Sequence, residues 1–476
     1  MFGERGRKGE DQGEFWVDRR KLPQLSASTF YVKLEETLQD IGFAEGVREI
    51  CRPSYAAASK GGRPGIDPAV YFKMLMIGFF ENLPSERAIA SRCADSLSLR
   101  AFLGYKLEES TPDHSSLSVI RTRLGPEVFQ EALELVLHGL YEYGLLKGRH
   151  LGIDSSIIEA NASLRALEHR NTEQSYWDYV KGLAAEAGID PDDTKAVRRF
   201  DKKRKGRKTS NKDWVNPHDR DAKVGRTKDG ACDMVYKPEH VSDLESGAII
   251  RAEVRAGDAG DTKELGERVV DACATLSRVC EDPLQDQTGR SVTADEGYFD
   301  VDEVCLLQGE GLRTIIGDPH APKRKRERQC AETRRTLNKA KRAVSSKSGK
   351  ALLRKRGEHL ERSFCHVLDQ GGMRRATLRG CEKLTMRLIG AVIAFNLSLL
   401  MRRLHGVGTP KQWEARAIEA AFCLLQRLVK RLTRSWERLG RLSSFREHIS
   451  VVIGHAFSSA WKTCRGIPIG YSSTGC

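Results

Sequence analysis

Three acidic residues stand where short apolar runs and one amphipathic helix would deliver them to a common cleft. Asp154 closes the run "LGID", and Asp295 closes "SVTAD" just before a Glu296-Gly297 turn. A third is sought on "RKRGEHLERSFCHVLDQ", where Leu360, Phe364, Val367 and Leu368 share one stripe at about 100° per residue. Glu361 falls at the margin of that stripe and Glu358 nearly opposite, which favours Glu361. Carboxylates gathered in one cleft repel each other unless cations sit between them. Hard oxygen ligands with no His or Cys cluster beside them favour Mg2+ or Mn2+ over zinc. Two such ions about 3.5 to 4 Å apart can activate a water or sugar hydroxyl and stabilise the leaving oxygen of a phosphodiester. Taken singly, each acid has a plainer reading: Asp154 a cap, Asp295 a turn residue, Glu361 half of a helix-surface ion pair. The joint arrangement is what points to chemistry.

The elements that must hold these residues change character along the chain. Residues 66 to 147 are helical in pattern, with Asp67 before Pro68 as cap and first helical position, a Pro84-Ser85 break, and Asp113 and Ser115 as further caps. From residue 148 the pattern is mixed. "HLGIDSSII" fits a strand, and "CDMVYKPEHVSDLESGAIIRAEVRAG" reads as a hairpin turning at "LESG". Pro238 predicts an edge strand. His240 and Asp243 in that hairpin are candidates to support the acids, or ordinary hairpin polar residues. Asp261 with Glu264 looks like a capping box, opening a helix with apolar residues at 265, 269, 272, 276 and 279. "RSVTADEGYFD" and "GLRTIIGDPH" are two more strands, so the order is strand, hairpin, helix, strand, strand, helix. Strand C-terminal ends are where open α/β sheets place their sites.

Charge names the partner. Across 476 residues, 79 Lys and Arg exceed 65 Asp and Glu, with a pI of about 9.2, as suits a protein that binds a polyanion. Nine of fourteen residues in 195–208 are basic, including Lys202, Lys203, Arg204, Lys205, Arg207 and Lys208. A second run, from 323 to 356, has fifteen basic residues against two acidic ones and includes Lys323, Arg324, Lys325, Arg326 and Arg356. Such runs are commonly solvated. Flanking the acid-bearing strands, they suit phosphate contacts that give affinity without sequence preference. They lack the interleaved apolar anchors of a membrane-surface helix. The twelve cysteines include no C-x-x-C pair and read as reduced cytosolic thiols. The N-terminus has no apolar signal core. The apolar stretch at 388 to 401 falls short of the roughly 18 residues of a membrane span and reads as a buried helix.

These motifs, in this order, resemble the DDE transposases of bacterial insertion sequences, in the branch grouped around insertion sequence five. "GRPGIDPAVYFKMLMIGFFENLPSERAIA" and "TPDHSSLSVIRTRL" resemble its helical N-terminal module. "GIDSSIIEANAS", "TADEGYFD" and "GEHLERSF" resemble the segments that carry its two aspartates and its glutamate, and "YKPEHVSDLESGAII" and "MRRATLRGCEKLTMRLIGAVIAFNLSLLMRRL" its hairpin and closing helix. The resemblance spans about residues 20 to 405. It implies an α+β chain: a helical DNA-binding module at 20–147, an RNase H-like catalytic core at 148–405 with a basic insertion at about 160–230, and a basic helical tail at 406–476. It also implies Asp154, Asp295 and Glu361 as metal-binding acids, 141 and 66 residues apart, that hold two Mg2+ or Mn2+ ions.

The implied partners are double-stranded DNA at the transposon ends and the target, with a homodimer for synapsis, in the cytoplasm and nucleoid. In the implied reaction a metal-activated water frees a 3′-hydroxyl, which then attacks target DNA. The chain departs from relatives that carry a Tyr, Arg and Lys set around the glutamate, for Gly357 and Leu368 occupy two of those spacings. Arg356 and Arg362 are phosphate-ligand candidates only. The tail, as a dimerisation helix or a simple surface helix, matches no part of the family. The rivals are an RNase H-like nuclease that cuts without joining and an inactive relative that only binds DNA as a repressor.

Overall fold

The computed structural model describes residues 26–55, 65–106, 108–204, 210–227, 230–280, 290–320 and 330–439. It opens with six helices: α1 (Ser26–Asp40), α2 (Phe43–Cys51), α3 (Pro68–Phe80), α4 (Glu86–Asp95), α5 (Leu97–Phe102) and α6 (His114–Glu142). Their starts follow the cap residues. Asp67 accepts the Ala69 N–H, Ser85 that of Ala88 and Asp113 that of Ser116, each satisfying a first-turn donor that has no partner inside the helix. Ser115 is not a second cap: it lies inside α6 and donates its hydroxyl to Asp113. Pro126 and Gly125 (φ 77°) kink α6. The apolar faces meet in an aromatic core, where Phe30, Tyr71, Phe72, Phe80 and Phe129 are buried. Edge-to-face pairs such as Phe30–Phe80 and Tyr71–Phe129 knit it together.

Next come β1 (His150–Ser155), β2 (Ile158–Glu159), β3 (Glu168–His169), α7 (Tyr176–Glu186), α8 (Thr194–Lys203), β4 (Trp214–Val215), β5 (Lys223–Arg226), β6 (Cys232–Asp243) and β7 (Ile249–Ala256). After these run α9 (Leu265–Val279), β8 (Ser291–Thr293), α10 (Val301–Gly309), β9 (Arg313–Ile315), α11 (Ala331–Ser345), α12 (Lys347–Phe364) and α13 (Cys381–His405). The central sheet reads β7-β6-β1-β8-β9. β6 is antiparallel to β1 and β7, while β8 and β9 run parallel to β1. That mixed order, on an α+β chain with helices before and after the sheet, is the arrangement expected of an RNase H-like core.

Three expectations are corrected. Pro238 lies inside the sheet, for β6 pairs with β7 on one side and with β1 and β2 on the other. Its carbonyl accepts the Ser156 N–H, so its nitrogen points the same way, into the step where the neighbour changes from β1 to β2, and the lost donor breaks no ladder bond. The supposed capping box does not form: α9 starts at Leu265 behind Glu264 in a left-handed conformation with no side-chain cap, and Asp261 turns to the sheet instead. The two last strands are not sequential neighbours in structure type, because α10 crosses between them, as a parallel pair requires. The remaining apolar positions of α9 are buried as their spacing predicts.

The described residues between 160 and 227 form small elements of their own. α7 and α8 pack Val180, Ala184 and Val197 into a small core of their own, β3 and β4 pair beside them, and β5 rejoins the main sheet on β6. α13 is a core helix: an apolar window in it is long enough to cross a membrane by composition, yet 83% of that window is buried in the fold. The described residues from 411 to 439 belong to a separate unit from the rest of the fold. Its helix α14 (Pro410–Leu439) exposes Ile418, Leu425, Leu428 and Leu432.

Candidate active site

β1 and β8 run parallel, with Gly152 beside Thr293. Asp154 and Asp295 each lie two residues beyond that pair, so the pleat puts both on the same face at the same end of the sheet. The helix over this face is α12. It comes in close at Gly152, where a Cβ would stand 2.5 Å from Leu244 Cδ2 and 3.2 Å from Leu360 Cδ1. A side chain there would force α12 away from the acids.

What α12 delivers between the two aspartates is a guanidinium. Arg356 Nη1 lies 2.9 Å from Asp154 Oδ2, and Nη2 lies 3.7 Å from Asp295 Oδ1. The Arg356 side chain is 14% exposed, Asp154 30% and Asp295 67%, so the pair has an inner and an outer carboxylate. Burial pushes the Asp154 carboxyl upward; Arg356 pulls it back, and the charges of Asp295 and Asp261 push it up again.

Asp261 is the third acid at this end. Its Oδ1 accepts the Ser155 hydroxyl at 3.0 Å and pairs with Lys237, and its Oδ2 lies 3.8 Å from where a Cβ on Gly297 would stand. It therefore sits between the residue after Asp154 and the turn after Asp295. Glu361 is exposed. Five residues on from Arg356, it points about 140° around α12 from the side chain that enters the site. Its neighbour Glu358 pairs with Arg362 at 3.1 Å on the solvent side.

His240 stands directly across from Asp154 on β6. It is buried, bonded to Ser363 Oγ at 2.7 Å and stacked on Phe364 with ring centroids 4.1 Å apart, and burial depresses its pKa to about 3. It joins β6, the neighbour of the acid-bearing β1, to α12. Asp243 lies at the other end of the strand and spends its carboxylate on the hairpin turn, accepting the Ser246 hydroxyl at 2.7 Å and the Glu245 N–H at 3.2 Å.

Of the basic candidates, Lys202 and Lys203 are exposed on α8. Arg204 is committed inward, 2.8 Å from Asp201 and over the Tyr179 ring. Lys205, Arg207, Lys208, Lys323, Arg324, Lys325 and Arg326 lie outside the described residues.

Residues missed by sequence reasoning sit beneath the acids. Glu239 and Tyr298 are buried and bonded to each other. The sequence carries no distinct signal for them, because β6 also holds Asp233, Lys237, His240 and Asp243 and Glu239 does not stand out among these.

The donors at this end suit a hard divalent cation. Asp154 and Asp295 lie against the two terminal nitrogens of one guanidinium, and Mg2+ is held by one or two carboxylates with substrate phosphates supplying the rest. Among the described residues no three His, Cys, Asp or Glu side chains converge closely enough to enclose an ion unaided.

Two stretches of the chain match known families. Residues 20–123 match the family described as Transposase domain (DUF772), and residues 303–401 match Transposase DDE domain. The second stretch holds Arg356 and Glu361, while Asp154 and Asp295 lie between the two. No curated protein matches the sequence. Among solved structures, the chain is similar to a pre-cleavage Mos1 transpososome, with 10% identity over 74% of this chain and 98% of that one and a TM-score of 0.20. It is also similar to a Mos1 transposase paired-end complex with left transposon end, with 10% identity over 65% and 81% and a TM-score of 0.18. Scores this low fall below those of a shared overall fold.

Proposed function

We propose that this chain, a DDE transposase by the two domains it carries, binds the ends of an insertion sequence and cuts and joins DNA at the Asp154–Asp295 pair. The observation that carries the reading is that pair, two carboxylates at adjacent strand ends bridged by one cation from α12. The order of motifs supports the finer placement in the branch grouped around insertion sequence five.

Asp154 and Asp295 would hold Mg2+ or Mn2+, which when bound supplies Lewis acidity to the scissile phosphate and a water or hydroxyl nucleophile at neutral pH. Asp154, sunk at the strand end, gives the fixed oxygen, and Asp295, largely open, is the one a DNA phosphate approaches. Glu361, exposed on α12, is proposed as the third acid. Arg356 and Arg362 on the same helix bring positive charge to the phosphate, and His240 fixes strand against helix.

DNA is held along α8. Lys195, Arg198, Arg199, Lys202 and Lys203 are all exposed on it and recur at the three- and four-residue spacing of one helix face. The opposite face buries Val197 and Asp201. We place the protein on cytoplasmic, nucleoid DNA and give it a homodimer in synapsis, for which the exposed Ile418, Leu425, Leu428 and Leu432 of α14 supply an apolar face.

The test is cleavage and strand transfer of DNA bearing the terminal repeats, with Mg2+. Asp154→Asn, Asp295→Asn and Glu361→Gln should each lower product by about a hundred- to a thousandfold, as loss of one transition-state charge stabiliser does, with end binding retained. Binding of the ends by wild type without product favours the repressor reading, and cutting without joining favours the nuclease. Full activity of Glu361→Gln assigns the third acid elsewhere.

A further inference from the structure

Below the acids lies a buried ionic cluster that the reaction itself does not use. Glu239 is 1% exposed and sits on β6 opposite Ser155, so its side chain leaves the face away from Asp154 and α12. There its Oε2 accepts the Tyr298 hydroxyl at 2.9 Å. Arg268 of α9 forms an ion pair with Oε1, and Arg255 Nη1 stands 3.6 Å from Oε2.

Each partner holds a backbone segment that leads to an acid. Tyr298 ends the short turn that starts directly after Asp295. Arg268 donates to the Asp261 carbonyl at 3.0 Å, and Arg255 to the carbonyls of Gly260 and Lys263 at 3.3 and 3.1 Å. Between them they shape the loop that aims Asp261. Asp261 in turn binds the hydroxyl of Ser155, the residue after Asp154.

We propose that Glu239 is the positioning residue of the site, setting the separation of Asp154 and Asp295 through Tyr298 on one side and through Arg268 and Asp261 on the other. The inference rests on the reading of Asp154 and Asp295 as metal-binding acids. A buried carboxylate with two guanidiniums and a phenol is costly to keep unless each member is satisfied, and here Tyr298 ends the turn after Asp295 while both arginines end on the loop that carries Asp261. Partners behind the ligands of a metal site orient those ligands, and their loss commonly costs 10- to 100-fold in metal affinity or activity.

The experiment titrates Mn2+ alone into the full chain, following free Mn2+ by electron paramagnetic resonance, beside single-turnover cleavage and binding of end DNA. Tyr298→Phe removes one hydroxyl and Glu239→Gln one charge; Tyr71→Phe, a buried tyrosine of α3, is the control for a purely structural loss. Tyr298→Phe and Glu239→Gln should each weaken Mn2+ binding and slow cleavage by about 10- to 100-fold. End binding should stay within about twofold, and Tyr71→Phe should keep wild-type Mn2+ affinity. If Glu239→Gln does not fold, Tyr298→Phe decides alone. Wild-type Mn2+ affinity and rate in Tyr298→Phe, or a loss matched by Tyr71→Phe, overturns the inference. Asp154→Asn separates the two layers. If it loses Mn2+ while Tyr298→Phe does not, only the positioning role fails. If it keeps wild-type affinity, the functional reading fails and this inference with it.

Discussion

His240 shows how a single buried residue couples β6, the neighbour of the acid-bearing strand, to its surroundings. Its ring is held between Ser363 and Phe364 of α12, and burial keeps it neutral with a pKa near 3. In an unfolded chain a histidine titrates near 6.5. Between those values the unfolded state binds a proton that the folded state refuses, so stability is full above the unfolded value and falls as pH drops. At pH 5 this one group should cost about 2 kcal/mol relative to pH 8. Urea denaturation of wild type and His240→Gln at both values measures it. Wild type should lose about 2 kcal/mol more than the variant on acidification, and equal losses would mean that the ring is charged or wet in the folded protein. The same residue marks the limit of sequence reading. Periodicity can say that a polar residue lies in a strand, but not which helix from 120 residues further on will cover it.

At the scale of elements, strands and caps were legible because their signals are local: Asp67, Ser85 and Asp113 open helices as their types predict, and Asp154 and Asp295 do sit at neighbouring strand ends. What escaped was non-local. Pro238 reads as an edge marker until the step from β1 to β2 is known, and Asp261 reads as a cap until Ser155 is seen to donate to it. The orientation of α12 was resolved only in part, since a wheel gives the apolar stripe but not the long guanidinium that reaches past it. α8 was read as a charge run and is an amphipathic helix. Its five exposed cations span the nine residues from Lys195 to Lys203, about 12 Å of helix, long enough to follow a DNA backbone. Each phosphate contact contributes about 0.9 to the slope of log K against log salt. Replacing Lys195, Arg199, Lys202 and Lys203 by Ala should therefore shallow that slope by about 3 to 4. Fluorescence anisotropy should give the same change on end DNA and on unrelated duplex. A loss confined to end DNA would make α8 a reader of sequence, and an unchanged slope would take it off the DNA.

At the scale of the whole molecule, α13 makes the helical module and the sheet one structure. It lies along the edge strand β7, where an unpaired backbone would otherwise invite another chain. Thr385 Oγ1 accepts the Val254 N–H at 2.9 Å. Asn396, fully buried, accepts from the Ile249 N–H at 3.0 Å and donates to its carbonyl at 2.8 Å. Eleven residues of helix and five of strand both cover about 16 Å, which is why two side chains of one helix can match two points of one strand. From the other side of the boundary, Gln130 of α6 donates to the Ile250 carbonyl at 3.2 Å, and Gly390 of α13 lets Leu75 of α3 approach to 3.1 Å of its Cβ position. Asn396→Ala strands two buried backbone groups, each worth about 1 to 3 kcal/mol, so global stability should fall by about 2 to 6 kcal/mol. Because α13 packs on both halves, amide exchange in α6 and in β1 should accelerate by the same factor. If β1 is deprotected while α6 keeps its wild-type protection, the module and the catalytic sheet unfold as independent domains, and the 147/148 boundary is a physical one.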